Sequence, residues 1–191
     1  MDYGLDMLAG YFIAVSPDNT AYIYKEIYEK NLIISDACKK ILECKGNDNV
    51  EYFIAPKDLW NRRQETGKSV AEIFQKEGLR LTKSSAGRIA GWLEMKEWLK
   101  PYKDQFGNLT AKLLIFPQCK NLIRTLPQLR YDDKKIGDIA QNPHELTHGP
   151  DAVRGFVTFN PRGKTEKKEI PDNLWIFKYN ENKKGDESLL W

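Results

Sequence analysis

The sequence predicts a single mixed α/β domain with a sheet flanked by helices, and three observations support this prediction. The length of 191 residues suffices for one well-buried core. Runs of β-branched and aromatic residues alternate with runs that repeat apolar residues at helical spacing. No apolar run approaches the roughly 20 residues of a membrane-spanning helix. We therefore expect no membrane span, a domain over residues 1–160, and a charged and aromatic tail over residues 161–191.

The composition narrows the class of protein further. A hydrophobic fraction of 41% with 30% charged residues is typical of a globular protein. The net charge of +3 is too small to indicate nucleic-acid binding by itself. Three cysteines without Cys-x-x-Cys spacing argue against a disulfide framework and a structural zinc site. Since the amino terminus opens with Asp2 and Asp6 rather than with a signal-peptide pattern, we expect a cytoplasmic protein.

The first part of the chain reads as strands followed by a helix. Residues 10–15 and 21–28 are aromatic and β-branched runs separated by a turn signal, which predicts a hairpin. Apolar residues at helical spacing over 34–42 predict an amphipathic helix that ends before Gly46. Residues 50–55 then predict a buried strand, and ligands in open α/β sheets lie beyond such carboxyl ends.

The next part alternates helices and strands. Ser69 and Glu72 predict a capping box for a helix that stops at Gly78. The segment Thr66-Gly67-Lys68-Ser69 is not a phosphate-binding loop, because Arg62 stands where that motif needs glycine. The remaining predicted elements are a strand over 79–83, a helix over 86–99 with Ile89, Trp92 and Leu93 inward, a strand over 112–116, and a helix over 121–130 kinked by Pro127.

Residues 143–154 form the most informative segment, because a histidine and an aspartate stand three residues apart at a predicted helix start. Thr147 is expected as the N-cap, with His148 first in the helix and Pro150 in its first turn. His148 and Asp151 would then share one face at the rim of the core, at a spacing suited to metal ligands. The alternative is a capped helix whose Asp151 is solvated near the positive helix end.

Two further acidic residues stand at expected strand ends, Asp2 near the amino terminus and Asp58 after the strand over 50–55. Carboxylates that converge from separate elements can hold Mg²⁺, which prefers a few carboxylates plus water and phosphate oxygens. Two such ions about 3.5–4 Å apart are a common arrangement for phosphodiester hydrolysis. These residues therefore indicate a two-ion site, provided that the fold brings them together.

Basic residues cluster after Asp58 along the chain. Such residues could neutralise phosphates near an acidic site. The alternative is an ordinary solvated surface. The expected phosphate contacts are Arg62, Arg63, Lys68 and Arg88.

Over residues 2–160 the chain resembles the C-terminal nuclease domain of the large terminase subunit of tailed bacteriophages, which has an RNase H-like fold. The last of the matching motifs, His-x-x-Asp-Ala-x-Arg, is the most specific. The matching segments are Asp2-Tyr3-Gly4-Leu5-Asp6, Asp58-Leu59-Trp60-Asn61-Arg62-Arg63, Thr66-Gly67-Lys68-Ser69 and His148-Gly149-Pro150-Asp151-Ala152-Val153-Arg154.

The resemblance implies an endonuclease that cuts concatemeric double-stranded DNA during genome packaging with two Mg²⁺ or Mn²⁺ ions. By position, Asp2, Asp58 and Asp151 resemble the acids of the family, with His148 beside them as a further ligand. The implied setting is the cytoplasm of a bacterial host. The implied partners are double-stranded DNA, a portal protein, a small terminase subunit and a terminase ATPase domain.

Two departures from the family pattern leave alternatives open. The first strand of the family runs up to the position of Asp2, so a shortened first strand is expected here. Ala55 stands where family members often carry an aspartate, so Asp6 or Glu26 could replace Asp58. A protein that binds DNA or a packaging partner without cutting is therefore an alternative. Another RNase H-like enzyme, such as a junction resolvase, is a second one.

Overall fold

The computed structural model describes residues 1–4, 6–64, 67–84 and 87–164, and most of the expected tail lies outside these ranges. Short 3₁₀ turns cover Lys57–Trp60, Leu126–Gln128 and His144–Leu146. In chain order, the strands and α-helices of the described ranges are β1 (Asp2–Tyr3), β2 (Met7–Val15), β3 (Ala21–Lys30), α1 (Ile34–Lys45), β4 (Phe53–Ala55), α2 (Val70–Lys76), β5 (Leu81–Lys83), α3 (Arg88–Leu99), β6 (Tyr102–Lys103), β7 (Leu109–Thr110), β8 (Leu113–Ile115), α4 (Lys120–Thr125) and α5 (His148–Phe159).

A four-stranded mixed sheet forms the centre of the fold, in the order β1-β2-β3-β8. The predicted hairpin is confirmed, because β2 and β3 pair antiparallel across the turn between them. β1 pairs antiparallel with β2, and β8 pairs parallel with β3. The parallel pair β4 and β5 adjoins β1, since the main-chain nitrogen of Met1 donates to the Ile54 carbonyl (2.7 Å). This arrangement places the carboxyl end of β4 beside β1.

Two apolar clusters cover the two faces of the sheet. On β2, Leu8 and Phe12 face the cluster that α1 and α2 complete, while Tyr11 and Ile13 face the cluster completed by α3, α4 and α5. Alternation along a strand sends successive side chains to opposite faces, so one strand serves both clusters. Among the helices of the described residues, none is long and apolar enough to cross a membrane.

The inward face of α3 differs from the prediction. Ile89 and Leu93 are exposed (44% and 57%), whereas Trp92, Met95 and Trp98 are buried. Apolar residues occur all around this helix, so their spacing alone does not fix which side packs. Close packing on α5 decides it: a Cβ at Gly91 would lie 2.7 Å from Arg154 Cγ and 2.9 Å from Thr158 Cγ2.

The helix predicted over 121–130 is shorter than expected. α4 ends at Thr125, and a 3₁₀ turn over Leu126–Gln128 follows. Pro127 accounts for the change, because its ring clashes with the carbonyl four residues earlier in an α-helix and it lacks the N–H of the helical hydrogen bond. The sequence predicted a kink at this point, and the structure instead ends the α-helix.

The predicted capping box of α2 is confirmed. The main-chain N–H of Glu72 donates to Ser69 Oγ (3.2 Å), and the N–H of Ser69 donates to Glu72 Oε2 (2.7 Å). We expect Ser69→Ala to lower the free energy of unfolding by about 1 kcal/mol, measured by urea denaturation. The exposed Ser35→Ala in the first turn of α1 is the control. Equal stability losses in the two variants would contradict a capping role for Ser69.

Candidate metal centre

A tight turn between β1 and β2 positions the carboxylate of Asp6. The main-chain N–H of Gly4 donates to the Met7 carbonyl across this turn (2.9 Å). A Cβ at Gly4 would lie 2.8 Å from Asp6 Oδ1, closer than a real Cβ contact allows. Glycine at position 4 therefore lets the Asp6 carboxylate fold back over the turn, near the Asp2 carboxylate on β1.

The start of α5 brings His148 to the same place. His148 is the first residue of the helix, as predicted. Thr147 is not an N-cap, because its backbone is already helical (φ −94°, ψ −26°) and its hydroxyl donates to the His144 carbonyl (3.0 Å). The 3₁₀ turn over His144–Leu146 runs directly into α5, so no extended residue precedes the helix to cap it.

His148 joins two carboxylates that come from different parts of the chain. Its Nδ1 lies 2.9 Å from Asp2 Oδ2, and its Nε2 lies 3.2 Å from Asp6 Oδ2. His144 Nδ1 lies 3.1 Å from the same Asp6 oxygen. The sequence predicted His148 at the rim of the core, but the side chain is only 4% exposed, because its ring is covered by both carboxylates and by the ring of His144 (centroids 4.3 Å apart).

The charged groups of this cluster shift the pKa values of one another. The hydrogen bond to Asp2 raises the pKa of His148 above its ordinary value, although burial acts in the opposite direction. Burial raises the pKa of Asp6, but a hydrogen bond from its own main-chain N–H and the charge of His148 outweigh this effect and lower it. The two carboxylates thus favour the protonated form of the His148 imidazole.

The donor set fits a divalent cation. Asp6, His144 and His148 each offer one ligand atom, and these atoms lie within 4.8 Å of one another. Asp2, which the sequence predicted as a ligand, contacts the opposite ring nitrogen, His148 Nδ1, and is suited to orient the imidazole. Carboxylates suit Mg²⁺ and Mn²⁺, whereas imidazole ligands favour first-row transition metals, so the mixed set suits Mn²⁺ better than Mg²⁺. Because a ligating imidazole must be neutral, the cation would compete with the proton on His148.

Gly149 fixes how closely the start of α5 approaches the sheet. A Cβ at this position would lie 2.6 Å from the hydroxyl oxygen of Tyr11 and 3.4 Å from Thr125 Oγ1. The Tyr11 hydroxyl is buried and lacks a hydrogen-bond partner among the described residues. A larger residue at position 149 would push α5 away from β2 and move His148 with it.

The structure does not bring Asp151 into the cluster. The carboxylate accepts from Arg88 Nη1 at both oxygens (2.9 Å each) and from Arg154 Nε (2.9 Å). We expected His148 and Asp151 to share one face of α5. Their partners differ, because His148 contacts carboxylates and Asp151 contacts guanidinium groups.

Arg88, which was expected to contact phosphate, is engaged inside the protein. Its Nε donates to Asp138 Oδ1 (2.8 Å) while its Nη1 donates to Asp151. Burial lowers the pKa of Arg88, but the two carboxylates outweigh this effect and raise it. Asp138 is buried and also accepts from the Trp92 indole (3.1 Å). The carboxylates thus engage Nε and Nη1, while the buried Nη2 of Arg88 lacks a hydrogen-bond partner among the described residues.

The remaining predicted residues lie outside the cluster. Asp58 is exposed on the 3₁₀ turn after β4, and within the described ranges no hydrogen bond or ion pair joins it to Asp2, Asp6 or His148. Glu26, the other expected substitute, accepts three hydrogen bonds from Asn121 and Leu122 at the start of α4 (2.8–3.0 Å) and so fixes that helix.

The expected phosphate contacts Arg62, Arg63 and Lys68 lie together on one exposed loop. Arg62 forms a β-bridge with Ser69, and the main-chain N–H of Arg63 donates to the Lys68 carbonyl (3.1 Å). Lys68 lies beside Lys76 and lowers the pKa of that ammonium group.

Sequence reasoning did not name His144, and it named Asp6 only as a substitute. One signal was available for the histidine: the chain contains two histidines, and they stand four residues apart, a spacing that brings side chains together on a helical turn. No comparable signal exists for Asp6, because its placement depends on the turn at Gly4.

The fold is similar to that of a solved nuclease. No protein-family model and no curated protein matches the chain. The large terminase nuclease domain of bacteriophage SPP1, crystallised with bound Mn, superposes with a TM-score of 0.54 at 18% sequence identity. The match covers 83% of this chain and 81% of the SPP1 domain. The comparison confirms the predicted fold class, a single RNase H-like domain with a mixed sheet flanked by helices.

Proposed function

We propose that the protein is a divalent-metal-dependent nuclease that cuts double-stranded DNA during phage genome packaging. The observation that supports this most directly is the buried His148, which joins the carboxylates of Asp2 and Asp6 within 3.2 Å. The fold that the chain shares with the SPP1 nuclease domain supports the proposal by analogy.

In this proposal, Asp6, His144 and His148 hold the first cation, and Asp2, on the opposite nitrogen of the His148 ring, orients that imidazole. When bound, the cation would activate a water molecule and stabilise charge on the phosphate. Asp2 and Asp6 supply negative charge, and the buried His148 fixes the separation of the two carboxylates. A second ion would require Asp58 from the turn after β4, or Asp151 after it exchanges its guanidinium partners.

DNA would approach across the loop that carries Arg62, Arg63 and Lys68, whose charges would neutralise backbone phosphates. Such contacts position a duplex without reading its sequence. In packaging, the chain would act together with a terminase ATPase domain, a portal protein and a small terminase subunit.

A second candidate function is DNA binding without cleavage. The specific observation in its favour is the Asp151 carboxylate, whose oxygens both accept hydrogen bonds from Arg88, with a further bond from Arg154. If Asp151 stays engaged in this way, the second ion lacks one of its ligands and the protein would hold DNA without cutting it.

Conversion of supercoiled plasmid to nicked and linear forms tests the proposal. We expect conversion in Mn²⁺, weaker conversion in Mg²⁺, and none with a chelator or with Asp6→Asn. Asp36→Asn, which changes an exposed acid on α1, is the matched control and should cut like the wild type. Cleavage that resists the chelator or persists in Asp6→Asn would contradict the proposed metal centre. Binding of the plasmid without cleavage in any metal would favour the second candidate function.

A further inference from the structure

A space one strand wide separates part of β2 from β4. β1 pairs with β2 as far as Ala9. On the other side of β1, the main-chain nitrogen of Met1 donates to the Ile54 carbonyl of β4 (2.7 Å). A single strand therefore spans the distance from β2 to β4. Past Met1 the same space continues between residues 10–15 and 50–54, and we call it the β2–β4 slot.

Both walls of the β2–β4 slot are strand edges that lack a partner strand among the described residues. β2 pairs with β3 along its whole length, whereas its pairing with β1 stops at Ala9. β4 pairs with β5 on the edge that faces away from the slot. The edge of β2 over residues 10–15 thus offers main-chain donors and acceptors to the slot. Such an edge readily accepts a further strand.

An occupant of the β2–β4 slot would meet apolar side chains on both faces of the sheet. The slot forms a cavity of about 900 Å³. Phe12 and Val50 line it on the side of α1, and Ile13 and Phe156 line it on the side of α5. Because successive side chains of a strand point to opposite faces, the occupant needs apolar residues at both alternating sets of positions.

The last described residues of the chain lie at one mouth of the β2–β4 slot. The main-chain N–H of Gly163 donates to Asn19 Oδ1 in the turn after β2 (3.2 Å). Lys164 Nζ lies 2.8 Å from Glu51 Oε2, two residues before β4. The chain thus leaves the described fold beside the end of β2 and the start of β4. A segment that enters at this mouth would run antiparallel to β2 and parallel to β4, which is the direction of β1.

The remaining chain contains a segment with the required pattern. Residues 174–179, Leu-Trp-Ile-Phe-Lys-Tyr, carry apolar or aromatic side chains at five of six positions, so both alternating sets are apolar. Six residues of strand, about 20 Å long, match the open edge of β2 over residues 10–15. The nine residues 165–173 can span up to about 30 Å, so the segment can reach the slot from the mouth at Lys164.

We propose that residues 174–179 occupy the β2–β4 slot and pair with the open edges of β2 and β4. The occupant would join the central sheet and the β4–β5 pair into one continuous sheet. It would also hold β1, which carries Asp2, in line between its two neighbours. This inference goes beyond the proposed nuclease function and does not depend on it, because it rests on the strand edges and not on the metal centre.

Hydrogen–deuterium exchange of the full chain, followed by mass spectrometry, tests the inference. We expect slow exchange at residues 174–179 and at the amides of residues 10–15 that face the slot. Ile176→Pro removes a main-chain donor from the middle of the segment and should release both. Burial of two aromatic side chains corresponds to at least about a 100-fold change in an equilibrium, so exchange at both places should accelerate by about that factor.

Ser188→Pro is the matched control, because it introduces the same residue into the tail outside the segment. Exchange at residues 174–179 and 10–15 should be the same in this variant as in the wild type. Fast exchange of residues 174–179 in the wild type would overturn the inference. Slow exchange at the open edge of β2 that survives Ile176→Pro would also overturn it, since another segment would then fill the slot. Protection that appears only at high protein concentration, with a dimer mass by light scattering, would assign the slot to a second copy of the chain instead.

Discussion

Replacing His148 with alanine is expected to abolish both plasmid cleavage and the thermal stabilisation that Mn²⁺ confers. His148 is the one side chain of the cluster that contacts both Asp2 and Asp6, at 2.9 and 3.2 Å. Without it the two carboxylates lose their common partner and the cation loses a nitrogen ligand. Loss of a group that merely supports a metal ligand lowers activity or affinity about 10–100-fold, so loss of the ligand itself should reduce cleavage at least about 100-fold.

His144→Ala is the matched comparison for this prediction. His144 is exposed, and of the carboxylates of Asp2 and Asp6 it contacts only that of Asp6, so its loss should weaken Mn²⁺ binding and cleavage less than the loss of His148. His148→Gln, which keeps much of the side-chain volume, separates a metal effect from a packing effect. Melting temperatures measured with and without Mn²⁺ give the readout that is independent of catalysis. Equal Mn²⁺ stabilisation in His148→Ala and in the wild type would contradict the metal centre.

The sequence predicted the strands and helices wherever a local pattern determined them. The hairpin of β2 and β3 follows from two alternating runs and a turn, and the capping box of α2 from Ser69 and Glu72. The buried face of α3 could not be derived in this way, because that face depends on the approach of α5 at Gly91. When apolar residues occur on all sides of a helix, the sequence of that helix does not indicate which side packs against another element.

The candidate site was predictable only in part: the sequence named His148 and Asp2, which the structure brings together, but gave Asp6 only as a substitute and did not name His144. His148 stood out by its spacing from Asp151, yet the structure pairs the two with different groups. Arg88 lies 63 positions before Asp151, and nothing local in the sequence indicates that its guanidinium takes both oxygens of that carboxylate. Asp6 enters the cluster through a turn that depends on Gly4 having no side chain. Long-range pairing and close backbone approach are three-dimensional properties, which one sequence does not encode in its spacing.

The buried Asp138 provides the second prediction with a large expected effect, on stability rather than on catalysis. Its Oδ1 accepts hydrogen bonds from Arg88, the Trp92 indole and the Ile139 N–H, at 2.8 to 3.1 Å. Arg88 keeps Asp151 as a partner in Asp138→Ala, but the Trp92 indole and the Ile139 N–H lose their acceptor. Each buried donor left unsatisfied costs about 1–3 kcal/mol, so we expect Asp138→Ala to lower the free energy of unfolding by about 2–6 kcal/mol. Asp138→Asn keeps an oxygen acceptor and loses the charge, and should lose less. The exposed Asp133→Ala is the control and should stay within about 0.5 kcal/mol of the wild type.

The charge at Asp138 also makes this contribution depend on pH in a defined direction. Burial raises the pKa of Asp138, but the Ile139 N–H and the Arg88 guanidinium outweigh it and hold the pKa below its ordinary value. A carboxyl with a lowered folded-state pKa adds stability above its unfolded pKa of about 3.9 and loses it as pH falls through the folded value. The stability difference between wild type and Asp138→Asn should therefore be full at neutral pH and shrink in acid, measured by urea denaturation across this range. A difference that does not change with pH would show that the charge of Asp138 does not contribute to its contacts with Arg88 and Trp92.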